Sequence, residues 1–138
     1  MTFARRVFLF AGIWGLVVMT PQWFLEAQLG RDFPPSISHA EFYYGFVGVV
    51  HAWQIAFLII AWDPLRYRMI MVPAILEKVA FAAAVLVLYL QSRVAATMLG
   101  FAAVDLTFAL LFLTAFVKVS RVPAYLKTRW ATADSRSQ

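Results

Sequence analysis

The sequence predicts an all-α protein, an integral membrane four-helix bundle (N-in/C-in) that takes up residues 1–138 as a single membrane domain. Three observations predict it. The chain is 63% hydrophobic and 14% charged, against roughly 25% charged for an average soluble domain. The apolar residues fall into four runs, each close to the ~20 residues a helix needs to cross a hydrocarbon core about 30 Å thick. Lysine and arginine are alternately rich and poor in the flanks of those runs, the pattern that sets orientation in a bilayer.

The first span is expected over residues 7–25, introduced by Arg5-Arg6, with a kink at Pro21 and Trp23 near its outer end as an interfacial anchor. The stretch Arg5-Arg6-Val7-Phe8-Leu9 resembles a twin-arginine export signal. The apolar run is long for a signal peptide and no small-x-small cleavage site follows, so the pair reads as the positive flank of a retained helix. A loop over residues 26–41 faces outward, stiffened by Pro34-Pro35, with Ser38 as the expected cap of the next helix. It reads as a connector or as a cover for the outer mouth.

The second span is expected over residues 42–62, stopped by Asp63-Pro64. The third covers 69–90 after Arg66 and Arg68. It begins either at Pro73, which favours a first helical position, or earlier, with Asp63 as cap, Pro64 first and a kink at Pro73; the longer helix is preferred. The fourth covers 94–117 before Lys118. A basic tail, 118–138, follows on the cytoplasmic side. Its stretch from 120 to 130 alternates basic and apolar residues, as a segment lying on an anionic leaflet would, and its last residues read as disordered.

Basic residues fix the orientation. Arg5 and Arg6 flank the first span, Arg66 and Arg68 the second loop, and Lys118, Arg121, Lys127, Arg129 and Arg136 lie in the tail. The first loop has only Arg31, beside Glu26, Asp32 and Glu41, and the third only Arg93. The expected location is therefore a membrane, crossed four times with both termini cytoplasmic. Most of the net charge of +5 sits in the tail, so no nucleic-acid partner is implied. Absence of cysteine excludes disulfide scaffolds, thiolate metal sites and thiol redox chemistry. The two histidines, His39 and His51, leave little for a metal centre, and no metal is expected.

Ionisable residues inside a span cost about 2.5–3.5 kcal/mol each on insertion scales, so each needs a reason. Here they are His51, Glu77, Lys78 and Asp105, with the polar Gln54. Helix rise places His51 and Asp105 near the midplane, with Glu77 and Gln54 roughly 3 Å toward the cytoplasm. His51 and Gln54, three apart, share a face. Small-residue ridges at Gly48, Ala52 and Ala56, and at Ala80 and Ala84, would let helices approach closely. Glu77 and Lys78 point about 100° apart, so only one faces a given neighbour, and one of them should pair with Asp105 or His51. The five read as ligand-binding or proton-relay candidates, or as a pair that fixes helix packing. Tyr43, Tyr44 and Trp53 are candidate aromatic lining, or else interface anchors.

Residues 77–116 resemble the DoxX-like group of small four-helix bacterial membrane proteins. The shared features are Glu77 early in a helix, an apolar run ending at Gln91-Ser92-Arg93, and Val94-Ala95-Ala96 opening the last span. Ala82-Ala83-Ala84 stands where the group has a glycine-rich stretch, and the first helix has no matching pattern. The resemblance implies an accessory or redox-linked subunit, with Glu77 as the residue carried over.

Three functions fit these residues. The first is a binding module or accessory subunit for a small amphipathic ligand, a lipid or a quinone, with no other cofactor identified. The second is a proton-linked transporter of small solutes acting as a homo-oligomer, with Glu77 and Asp105 titrating and His51 relaying. The third is an intramembrane isomerase with a carboxylate as acid and His51 as base. The partners expected are the lipid bilayer and either a second copy or a larger membrane complex.

Overall fold

The structure, a computed structural model, describes residues 2–32 and 36–121. Pro34-Pro35 and the tail past Arg121, with its leaflet-binding and disordered stretches, lie outside the described residues. All the regular structure among the described residues is helical. Helix α1 spans Thr2–Met19 and runs into a 3-10 turn at Thr20–Phe24; α2 is a short helix at Glu26–Asp32; α3 spans Ala40–Trp62; a 3-10 turn at Arg68–Ile70 leads into α4, Met71–Leu90; and α5 spans Thr97–Ser120. Four of the helical segments, Thr2–Phe24, Ala40–Trp62, Arg68–Leu90 and Thr97–Ser120, are long and apolar enough to cross a membrane.

The boundaries differ from the sequence expectation for local reasons. The first span starts five residues earlier than residue 7, because Arg5 and Arg6 lie exposed on the first turns of α1 and do not interrupt it. Pro21 does not kink a continuing α-helix: α1 ends at Met19, and Pro21 opens the tighter turn, where its missing N–H costs nothing. Part of the expected outer loop is helical, as α2. His39, not Ser38, is the residue before α3, and no side chain caps that helix. Asp63 does cap backbone as expected, its Oδ1 accepting from the N–H groups of Leu65 (3.1 Å) and Arg66 (3.0 Å). The turn so formed is separate from α4, which begins at Met71. Pro73 then lies in the first turn of α4, where no intrahelical donor is needed, so there is no mid-helix kink to explain. Helix α5 starts at Thr97 rather than 94 because residues 91–96 make the connection.

That connection closes α4 with a Schellman arrangement. Ser92, at φ 57°, is in the left-handed region, its N–H bonds to Tyr89 O at 2.9 Å, and the N–H of Arg93 bonds to Leu88 O at 2.9 Å. These are the reciprocal bonds that satisfy a helix's last carbonyls.

The bundle consists of two close pairs. Helix α1 lies along α3, α4 along α5, and contact between α1 and α5 joins them, while α3 and α4 barely meet. At the end holding the start of α1 and the end of α5, an aromatic cluster fills the centre. Phe8 stacks on Phe112 with centroids 4.2 Å apart, and Phe57 meets Phe112 edge-on at 5.0 Å. All three are wholly buried, together with Ile60, Met71 and Val119. Only 17% of the apolar stretch in the first span, and 28% in each of the others, is buried within the protein. Leu9, Phe10, Val17, Leu76, Leu90 and Leu110 all face outward.

Candidate functional site

The buried stripe of α4 decides which of the adjacent pair Glu77 and Lys78 faces the interior. It consists of Met71, Ala74, Lys78, Ala82 and Val85, at the three- and four-residue steps of one helix face. Lys78 therefore occupies a core position and is 8% exposed. Ala80 and Ala84, expected as a packing ridge, lie on the exposed side; the small residues that bring α4 against α5 are Ala82 and Ala102. Asp105 lies three residues from both buried Ala102 and buried Phe108, on the α5 face turned to α4.

These placements bring three charged groups together. Lys78 Nζ is 3.3 Å from Asp105 Oδ1 across the α4–α5 contact. It is also 3.3 Å from Glu77 Oε2 and donates a hydrogen bond of 3.3 Å to Glu77 Oε1. Its third side faces the Phe57 ring, 5.7 Å from the centroid. Glu77 Oε2 is buried and, although the Lys78 ammonium lies 3.3 Å away, accepts no well-aligned hydrogen bond among the described residues. The lysine ammonium bridges both carboxylates; the two acids do not pair with each other.

The triad borders a cavity of about 660 Å³ in the space where α3 and α4 stand apart. The lining reaches from Gln22 and Tyr43 at one end to Phe57, Lys78, Asp105 and Phe108 at the other. Along α3, from Tyr43 to Phe57, that is about 21 Å at 1.5 Å per residue. Phe57 and Phe108, which line the inner end, pack against the buried Phe8 and Phe112. Between the ends the walls are apolar and aromatic, with Trp14, Trp53, Phe81 and Phe101 among them.

Gln54 faces the same cavity and is almost wholly buried, with its Nε2 donating to Val50 O at 3.2 Å. Its amide fits only because α1 presents Gly15 opposite: a Cβ there would overlap the Gln54 side chain, and one on Gly12 would crowd Leu58 and the Gln54 carbonyl. The close approach of α1 to α3 therefore rests on Gly12 and Gly15. The expected ridge of Gly48, Ala52 and Ala56 does not make it: Ala52 is exposed and Gly48 lies under the ring of Trp23.

His51 does not join the triad. Its Nδ1 is 2.8 Å from Val47 O and its Nε2 is 3.3 Å from Thr20 Oγ1, while Trp23 packs on the ring at 5.7 Å. It shares the triad's expected depth but faces the end of α1, so no direct contact links it to Glu77 or Asp105. Tyr44 likewise turns from the cavity and donates to Glu26 Oε2 at 2.9 Å. Tyr43 sits at the cavity mouth, where its hydroxyl donates to Gln22 O at 2.6 Å. Trp53 lines the wall.

Sequence reasoning missed Gly15, Trp14 and the α5 wall residues Met98, Phe101 and Val104. The run Ala4, Phe8, Ala11, Gly12, Gly15 on one face of α1 could have pointed to the first; the wall residues carry no signal apart from apolarity. No group of histidine and carboxylate side chains suited to holding a metal ion occurs among the described residues. No family model, curated protein or solved structure matches the chain.

Proposed function

We propose that this protein spans the inner (plasma) membrane of a bacterium four times, with both termini cytoplasmic, and binds one small amphipathic molecule in the cavity between its two helix pairs. The observation that carries the reading is a charged triad at the inner end of a long, aromatic-walled cavity. An amphipathic guest would rest its apolar body on Trp53, Phe81 and Phe101 and place its polar end at Lys78, Glu77 and Asp105. Ligand sites commonly have this composition, apolar walls with a few convergent polar groups. The sparse contact between α3 and α4 supports entry from the side, from lipid. The outward-facing apolar side chains support insertion, and the flanking lysines and arginines support the orientation.

The test uses the tryptophans in the wall. Titrating the protein in lipid nanodiscs with neutral, cationic and anionic amphiphiles should give saturable quenching of Trp14 and Trp53 fluorescence by at least one of them. Trp14→Phe with Trp53→Phe should remove the signal. Val104→Trp, which adds bulk to the cavity from α5, should abolish the saturable quenching of Trp14 and Trp53 while the helical circular dichroism stays as in the parent. If all three probe classes merely partition into the bilayer, without saturation, the binding reading is wrong.

A further inference from the structure

We infer that the guest of this cavity is an organic cation with an apolar body, which replaces a proton at the Glu77–Lys78–Asp105 triad. The inference rests on the binding role proposed above and names the class of ligand. Two independent features carry it, the charge balance of the triad and the hydrogen-bonding capacity left in the cavity.

The charge balance comes first. The triad has one cationic side chain and two carboxylates within 3.3 Å of it. With all three ionised the site carries one uncompensated negative charge in surroundings that are otherwise apolar. Burying such a charge without a partner is strongly unfavourable, and a group so placed takes up a proton or a counter-ion instead. Among the described residues, the only other titratable group on the cavity wall is Tyr43, at the mouth and bonded to Gln22. From α1 the wall presents Ala11, Trp14, Gly15 and Val18, and from α3 it presents Trp53, Gln54 and Phe57 near the triad. None of these supplies a positive charge. The missing charge must come from a proton or from the guest.

The polar atoms give the same direction. Lys78 is committed to Glu77 and Asp105, with Phe57 on its remaining side, and the Gln54 amide donates to its own helix. Among the described residues the donors left near the triad are neutral, the second Gln54 amide N–H and the Trp53 indole N–H, and no free cationic donor remains to lead an anionic head group. The acceptor left without a hydrogen bond is the buried Glu77 Oε2, which Lys78 meets at 3.3 Å by charge alone. The walls agree, since the faces of Trp14, Trp53, Phe81 and Phe101 attract cations and repel anions. A guest cation arriving next to Glu77 leaves the site neutral, and the proton it displaces goes to solvent, one proton per cation bound.

Tetraphenylphosphonium and tetraphenylborate test this, because they match in size and shape and differ in the sign of their charge. Binding is measured on the full chain in nanodiscs, with empty nanodiscs subtracting partition into lipid. The expected result is saturable binding of the phosphonium at pH 8, at least tenfold tighter than the borate and at least tenfold weaker at pH 5, with proton release on binding at intermediate pH. Glu77→Gln removes the excess charge and keeps the Lys78–Asp105 ion pair, and should erase the preference for the cation. Asp105→Asn keeps the Lys78–Glu77 pair and should do the same, so the outcome does not depend on one variant folding. Equal or tighter binding of the borate, or a cation preference that survives both substitutions, would overturn the inference and leave the binding role standing. Failure of both ions and of a neutral short-chain quinone to saturate would sink the inference and the binding role together.

Discussion

Lys78 Nζ lies 3.3 Å from Asp105 Oδ1, and this ion pair ties α4 to α5 at the inner end of the cavity. The lysine also holds Glu77, so it is the shared partner of two acids, and the three substitutions at the triad are not equivalent. Lys78→Met leaves two carboxylates facing each other without a counter-ion. Removing one member of a buried pair typically costs about 3–5 kcal/mol, and that loss of unfolding free energy is expected here in detergent titrations. Asp105→Asn should cost much less, because Glu77 still neutralises the lysine. The combination Lys78→Met with Asp105→Leu should recover part of the loss. Additive effects would show that the pair contributes nothing to the α4–α5 contact.

Gly15 and Gln54 form a second coupled pair. A methyl group on Gly15 would overlap the Gln54 amide, so Gly15→Ala should push α1 away from α3 and lower stability by about 1–3 kcal/mol, the usual range for overpacking. Gln54→Ala clears the space, and the double variant should be more stable than Gly15→Ala alone. Gly45→Ala, where the added atom meets nothing within 4 Å, serves as the control: it should not lower stability and can raise it by up to about 1 kcal/mol through helix propensity.

The four long apolar helices were legible in the sequence because apolar run length acts independently of how helices pack. The sequence also placed His51, Gln54, Glu77 and Asp105 at similar depth. Depth, however, says nothing about direction around the helix axis. Three residues separate His51 from Gln54, yet Gln54 enters the cavity while His51 turns to Thr20. The same limit left Glu77 and Lys78 undecided, although the spacing of Met71, Ala74, Ala82 and Val85 around Lys78 already marked the inward stripe. The cavity itself was not legible, since it results from α3 and α4 standing apart, which no pattern within one helix encodes.

His51 is expected to be structural at the end of α1 and silent in the cavity. His51→Phe keeps the ring against Trp23 and removes the contacts to Thr20 and Val47. Each lost hydrogen bond of this kind is worth about 0.5–1.5 kcal/mol, and the two together should be the whole effect on unfolding. Affinity for a cavity probe should be unchanged. Gln54→Leu should show the reverse pattern, with affinity altered more than stability. A loss of probe binding in His51→Phe would place the imidazole in the site after all.

Ser92 holds a left-handed backbone angle at the end of α4 with no glycine to ease it. A side chain in that region costs roughly 1–2 kcal/mol, which glycine avoids at the expense of a more flexible unfolded chain. Ser92→Gly should therefore raise stability by up to about 1 kcal/mol. Ser92→Val should lower it, because branching at Cβ makes this conformation worse. Thermal denaturation followed by circular dichroism would resolve the order glycine, serine, valine, and any other order would mean that the turn is not held by the bonds to Leu88 and Tyr89.

The orientation can be read from labelling, since the chain has no cysteine of its own. Gln28 on α2 and Arg66 in the turn after α3 are both exposed and lie on opposite ends of α3. With both termini cytoplasmic, a cysteine at Gln28 faces the outside and one at Arg66 the inside. A membrane-impermeant maleimide applied to intact spheroplasts should then modify Gln28→Cys and leave Arg66→Cys untouched until the membrane is opened. The Tyr43 and Gln22 end of the cavity lies at the Gln28 end of the protein, so the same result would direct that end outward and the aromatic cluster of Phe8, Phe57 and Phe112 inward. Labelling of Arg66→Cys alone would invert the protein. The triad's end of the cavity would then lie toward the outside.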